Sequence, residues 1–165
     1  MFLEVPYMSY QSQSVLFVCL GNICRSPTAH AVFRQKLLDT KLNVEVDSAG
    51  TAGYHVGATP DARSASHGKK RGYDFSQLFA RAVTVEDFEH FDHVLAMDAQ
   101  NYQDLMNKCP VEYQHKVQLF LNFAINYPNQ NEVPDPYYGG EQGFEFVLDL
   151  VEDASDGLIN HLLEK

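Results

Sequence analysis

The stretch Val15–Pro27, VLFVCLGNICRSP, constrains the chain more than any other. Its four apolar residues, Val15 to Val18, do not alternate with polar ones, so they read as a strand buried on both faces, as in a parallel sheet. Such a strand needs helical layers on both sides and parallel neighbours reached by crossovers. The run ends on Cys19, and six positions later Arg25 is followed by Ser26 and Pro27. Beyond them Ala29, Val32, Phe33 and Leu37 recur at helical spacing. A strand, a short loop and a helix therefore carry a thiol, a guanidinium and a hydroxyl close together.

The rest of the chain repeats that alternation. Val44 and Val46 predict a second strand, followed by a turn at Ser48-Ala49-Gly50. A polar helix is expected from about Asp61 to Arg71, ended by Gly72. A buried strand at Val94–Met97, a helix from Ala99 to Asn107 and a short strand at Val117–Leu119 follow. Residues 126–140, rich in Pro, Asn, Tyr and Gly, read as loop. From Glu141 onward, Phe144, Val147, Leu148, Val151, Leu158 and Leu162 mark an amphipathic terminal helix, in which Gly157 costs about 1 kcal/mol relative to alanine. The pattern predicts an α/β domain with right-handed crossovers. Ligands in such folds gather at the carboxyl ends of the strands, where the chain order reverses. Cys19 lies at such an end.

Length and charge narrow the function. A chain of 165 residues fits one domain and can bury about 70% of its unfolded surface. Residues 1–14 have neither a basic start nor a continuous apolar core and read as a flexible tail ahead of a domain at 15–165. No apolar run approaches the roughly 20 residues that span a bilayer, so membrane insertion is not expected. The net charge of −10 argues against a nucleic-acid partner. An anion site must then create its positive potential locally. Three cysteines, Cys19, Cys24 and Cys109, do not make a disulfide scaffold and point to a reducing cytosol. Phe88 and Phe91 interleave with His90 and His93, which suggests packing beside a strand, and no zinc-ligand spacing recurs.

The loop has the chemistry of an anion cradle. Gly21 lets the backbone approach a ligand, and Asn22 tolerates the left-handed region. Successive amides from Leu20 through Ile23 and Cys24 to Arg25 can form a nest around phosphate oxygens. The helix start adds its positive end, and Pro27 suits the first turn. Thiols in water are only a few per cent ionised at neutral pH, and helix N-termini and cations promote the nucleophilic thiolate. Ser26 is placed to hydrogen-bond the sulfur, and Arg25 can hold two phosphate oxygens with its planar fork. Cys and Arg at this spacing alone are also compatible with a buried Cys and a decorative Arg; the strand before and helix after favour the cradle. No G-x-x-x-x-G-K-[ST] nucleotide loop occurs.

VCLGNICRSP resembles the signature of the low-molecular-weight protein tyrosine phosphatase family. Asp47-Ser48-Ala49-Gly50, Ala96-Met97-Asp98 and Asp135-Pro136-Tyr137-Tyr138-Gly139 resemble its later landmarks in the right order, so the similarity covers roughly Val15 to Leu163. The resemblance implies a four-stranded parallel sheet flanked by helices, and hydrolysis of phosphotyrosine on protein substrates without a metal or other cofactor. It implies a phosphocysteine on Cys19, phosphate binding by Arg25, and Asp135 as general acid and then base; on physical grounds, burial and Glu132 nearby are expected to hold the Asp135 proton near neutral pH. Without the resemblance, Asp135-Pro136 reads more readily as an ordinary turn. The same analogy makes Tyr138 and Tyr137 an aromatic wall and sets Leu20 and Tyr54 on the opposite rim; His55 beside Tyr54 reads first as an exposed loop histidine and second as an influence on substrate preference.

Further roles follow from the resemblance alone. Cys24 would trap oxidised Cys19 as a disulfide, although a small residue packed under the loop suits the same position. Asn22 and Ser48 look like supporting hydrogen-bond partners of the loop. The histidine of mammalian relatives looks to be replaced by Arg71. Asp98 reads as a helix cap or a support residue and not as the acid. Two other functions compete: a thiol-dependent arsenate reductase, which needs a relay of further cysteines where only Cys109 lies outside the loop, and a non-catalytic phosphate or phosphopeptide reader.

Overall fold

The computed structural model describes residues 12–164. Four parallel strands, β1 (Gln13–Cys19), β2 (Val44–Gly50), β3 (His93–Ala96) and β4 (Val117–Leu119), form one sheet in the order β2-β1-β3-β4. The helices are α1 (Arg25–Leu37), α2 (Ala62–Lys70), α3 (Val85–His90), α4 (Ala99–Lys108) and α5 (Gly140–Leu163), with short 3₁₀ turns at Val111–Lys116, Phe120–Phe123 and Pro136–Tyr138. The chain leaves β1 for β2 on one side and returns to β3 on the other. The order thus reverses beside β1, and folds of this kind bind ligands at such a point, here the end of β1 at Cys19.

The uninterrupted apolar run of β1 feeds two cores. Val15, Phe17 and Cys19 face a layer that includes Phe33 of α1, Phe120, and Leu148, Val151 and Leu158 of α5. Leu16 and Val18 face Phe88 of α3, Val94 and Ala96 of β3, and Leu105 of α4. Both sets are fully buried, and that is why the run shows no alternation.

Local structure departs from expectation at instructive places. β1 starts at Gln13, ahead of the apolar run, because Ser14 is tied down: its N–H donates to Asp92 Oδ2 at 3.0 Å. Ser48-Ala49-Gly50, expected as a turn, completes β2 by pairing with Phe17, Val18 and Cys19. A side chain at Gly50 would put Cβ 2.7 Å from the Leu20 carbonyl oxygen, so a glycine lets β2 reach the loop. Gly157, a cost in an isolated helix, is required by packing, since a Cβ there would lie 1.7 Å from the Phe123 carbonyl oxygen. The helix α3 is a further element: Thr84 and Asp87 close a capping box over Val85–His90. Phe88 thus packs from a helix onto the sheet.

Behind the loop, His30 of α1 lies buried with its Nδ1 3.1 Å from Ser48 Oγ. Burial, with help from Arg34 and against Asp47, pushes its pKa down to about 4. The unfolded chain takes up this proton near pH 6.5, whereas the folded one resists until about 4. The corresponding stability is present above pH 6.5 and is lost as pH falls towards 4, on the order of 3 kcal/mol in all. Urea unfolding should show the wild type losing about 2 kcal/mol more than His30→Gln between pH 7 and 4.5. Equal losses in the two proteins would remove His30 from this role.

Candidate active site

Loop residues 20–24 join β1 to α1 at the carboxyl edge of the sheet. Asn22 adopts φ of 57°, the left-handed conformation that an asparagine tolerates. Its Oδ1 accepts from the Arg81 N–H at 3.0 Å and its Nδ2 donates to Ser26 Oγ at 2.8 Å. The carbonyls of Cys19, Leu20, Ile23 and Cys24 are taken outward by the N–H groups of Thr51, Ala52, Asp61 and Thr28. Each trans peptide points its N–H opposite to its carbonyl, so the amides of Leu20, Gly21, Cys24 and Arg25 turn inward. With the first turn of α1 they form a cluster of N–H groups of the kind that binds anions.

Cys19 is buried at the floor of this nest, with Sγ 3.1 Å from Ser26 Oγ. Because Asn22 already donates to that hydroxyl, the Ser26 proton has two acceptors within reach, the Cys19 sulfur and, at 3.4 Å, the Ala49 carbonyl. Arg25 is 6% exposed. Its Nη1 donates to Asp98 Oδ2 at 2.6 Å and to the Val133 carbonyl at 3.0 Å. Both bonds use Nη1, which leaves the Nε–Nη2 edge as the fork that fits two phosphate oxygens. Burial opposes the Arg25 charge, but Cys19, Asp98 and Asp135 outweigh it and hold its pKa above the ordinary value. Asp98 is thus both things expected of it: it caps α4 through the Asn101 N–H and anchors Arg25.

A cavity of about 120 Å³ opens over the sulfur, lined by Cys19, Leu20, Gly21, Ile23, Cys24, Arg25, Tyr54, His55, Asp135 and Tyr137. The structure thereby brings together most of the residues singled out from sequence; Asn22 and Ser26 stand behind the loop as supports. The side chain of Tyr138 lies outside the described residues, and Tyr137 forms the aromatic wall that is seen. Both loop cysteines are free thiols. Cys24 is raised to about 11, mainly by burial and further by Asp61, Cys19 and Asp135, against a hydrogen bond with Ser64. Burial thus disfavours its thiolate at neutral pH.

Several expected supports are placed otherwise. Arg71 does not reach the loop: it bonds Glu145, Asp149 and Glu152 along α5, because the end of α2 packs on that acidic face. The residue from this part of the chain that does support Asn22 is Arg81, which also pairs with Asp47 and Asp87. Ser48 bonds His30 and so steadies α1 behind the loop. Glu132 accepts the Ala99 N–H at 2.7 Å, which directs its charge to the start of α4. Asp135 is exposed and not buried; its Oδ1 accepts the Tyr137 N–H at 3.0 Å. His90 pairs with Glu45, His93 stacks edge-on against His161, and among the described residues no group of three or more His, Cys, Asp or Glu could hold a metal ion.

Comparison with known proteins agrees with this geometry. The family model described as low molecular weight phosphotyrosine protein phosphatase matches residues 14–165. The human low molecular weight phosphotyrosine protein phosphatase is 45% identical over 138 residues, covering 82% of this chain and 87% of its own. A low molecular weight protein-tyrosine-phosphatase from Streptomyces coelicolor is 42% identical over 155 residues, covering 92% and 94%. Among solved structures, a protein tyrosine phosphatase from Entamoeba histolytica with Hepes in the active site superposes with a TM-score of 0.88 at 45% identity, covering 92% of this chain and 97% of that one. YfkJ from Bacillus subtilis gives 0.87 at 35% identity, covering 93% and 96%. The chain belongs to the low molecular weight phosphotyrosine protein phosphatase family.

Proposed function

We propose that this protein hydrolyses phosphotyrosine on protein substrates in two steps through a phosphocysteine on Cys19. The observation that carries the reading is the convergence of Cys19, Arg25 and Asp135 on one cavity with Tyr54 and Tyr137 at its rim. The sulfur lies at the floor of a cleft, so a phosphate must be presented at the end of a long, flat group. An aryl phosphate flanked by two tyrosines suits that arrangement better than the shorter, apolar-poor phosphoserine side chain.

In the first step the thiolate Sγ attacks phosphorus, the S–P bond forms and the P–O bond to the phenyl ring breaks. Asp135 gives its proton to the departing oxygen, while the loop amides and Arg25 hold the phosphoryl oxygens. In the second step the Asp135 carboxylate takes a proton from water, which attacks phosphorus. The S–P bond breaks, inorganic phosphate leaves and the sulfur departs as a thiolate steadied by the Ser26 hydroxyl. Cys109, beyond the C-terminal end of α4 and packed in the core of the opposite sheet face, does not supply the thiol relay of an arsenate reductase. Three free cysteines support a reducing, cytosolic setting.

Parallel assays with a phosphotyrosine peptide, a phosphoserine peptide and arsenate test this reading. Turnover of the first alone is expected, and preferential arsenate reduction or phosphate binding without turnover would contradict it. Asp135→Ala should lower kcat/KM for phenyl phosphate by about 10²- to 10³-fold while leaving competitive inhibition by inorganic phosphate unchanged. Undiminished kcat/KM in that variant would remove Asp135 from the mechanism.

A further inference from the structure

We propose that Arg63 is a positioning residue that holds the Asp135 turn over Cys19, an inference that rests on Asp135 being the general acid. Arg63 is the second residue of α2, and the helix begins at the phosphate loop: the Asp61 N–H donates to the Ile23 carbonyl at 2.8 Å. Asp61 caps the helix by accepting the N–H groups of Arg63 and Ser64 at 2.8 and 3.3 Å. The same carboxylate takes the Arg63 guanidinium, with Nε 3.3 Å from Oδ1 and Nη2 3.1 Å from Oδ2.

Held this way, the guanidinium carbon lies 4.5 Å from the centre of the Tyr137 ring and 5.0 Å from that of Phe144. These are cation–π distances. Phe144 is buried in α5 and stacks on His67 of α2, so it is a fixed wall. Tyr137 is part of the short turn that begins at Asp135, and its N–H donates to the Asp135 carboxylate. A continuous set of contacts therefore runs from the Ile23 carbonyl through Asp61, Arg63 and Tyr137 to Asp135. It joins the two halves of the site, which the chain separates by more than a hundred residues.

Such a link matters because Asp135 itself is exposed. A proton donor misplaced by about 1 Å can cost on the order of 10²-fold in rate. Arg63 suits the role because only a planar guanidinium can pair with a carboxylate along one edge and stack between rings.

The test compares kcat/KM for phenyl phosphate, whose leaving group needs a proton, with that for 2,4-dinitrophenyl phosphate, whose leaving group does not. Arg63→Ala should lower the phenyl/dinitrophenyl ratio about tenfold, Arg63→Lys should restore it only in part, and Asp135→Ala/Arg63→Ala should lower it no further than Asp135→Ala alone. If Arg63 merely stabilises α2, Arg63→Ala will reduce Tm and leave the ratio unchanged, which overturns the proposal. If Asp135→Ala lowers the ratio and Arg63→Ala does not, only the role of Arg63 falls. If Asp135→Ala leaves the ratio unchanged, the acid assignment falls and the role of Arg63 with it.

Discussion

Cys19→Ser is expected to bind phosphate and aryl phosphates but to turn them over more than about 10⁴-fold more slowly than the wild type. The substitution replaces sulfur with oxygen in the same cradle, so the loop amides, Arg25 and Asp135 keep their places. What is lost is the nucleophile, because a serine hydroxyl stays protonated where a thiol can ionise. No base stands ready to activate it: the side chain 3.1 Å away is the Ser26 hydroxyl, and Asp135 sits at the mouth of the cavity. Losses of this order are usual when a nucleophile is removed from an otherwise intact site. Steady-state assays on a phosphotyrosine peptide, with isothermal titration of inorganic phosphate, measure both halves of the expectation. Substantial turnover by the variant would require a different nucleophile.

Arg25→Lys is the second large effect, with kcat/KM expected to fall by about 10²- to 10³-fold although the charge is kept. The wild-type guanidinium spends Nη1 on Asp98 and the Val133 carbonyl, which fixes its plane and leaves the other edge for the phosphate of the proposed reaction. A lysine ammonium can satisfy Asp98 or the phosphoryl oxygens, but it has no second edge with which to do both. On the proposed mechanism the geometry of the charge matters as well as its sign. Phosphoryl transfer depends on such positioning because charge is spread over the equatorial oxygens in the transition state. A decrease smaller than about fivefold would show that Arg25 acts only as a diffuse positive charge.

The legible and illegible parts of the sequence divide along physical lines. Val15–Val18 revealed a two-face strand because both cores recruit it, and the terminal helix was visible because its buried residues recur with the helical period. The phosphate loop was legible because its parts are contiguous. The strand, the nest, the thiol and the guanidinium all fall within the stretch Val15–Pro27. Asp135 was reachable only by resemblance, since no local pattern distinguishes a catalytic Asp-Pro from a turn. α3 is short, yet Thr84-Val85-Glu86-Asp87 carried a capping-box signal that marks its start.

Partners distant in the chain left less trace. Arg81 supports Asn22 through a backbone N–H, a contact to which its side-chain identity contributes nothing. Arg71 and Arg63 both belong to α2 or its C-cap, yet one turns to the carboxylates of α5 and the other to Tyr137. Helix rotation and docking decide between those fates, and neither is written in local composition. Glu132 likewise reads as a neighbour of Asp135 in sequence but is drawn to the open N–H groups at the start of α4.

Rapid acid quench of the enzyme with excess para-nitrophenyl phosphate tests the covalent phosphocysteine most directly. Peptide mapping by mass spectrometry should find phosphate on the peptide that contains Cys19, in amounts approaching the enzyme concentration, with none on the same peptide from Cys19→Ser. A wild-type enzyme that turns over at full rate with no phosphate trapped on Cys19, or with phosphate on another residue, would contradict the two-step mechanism.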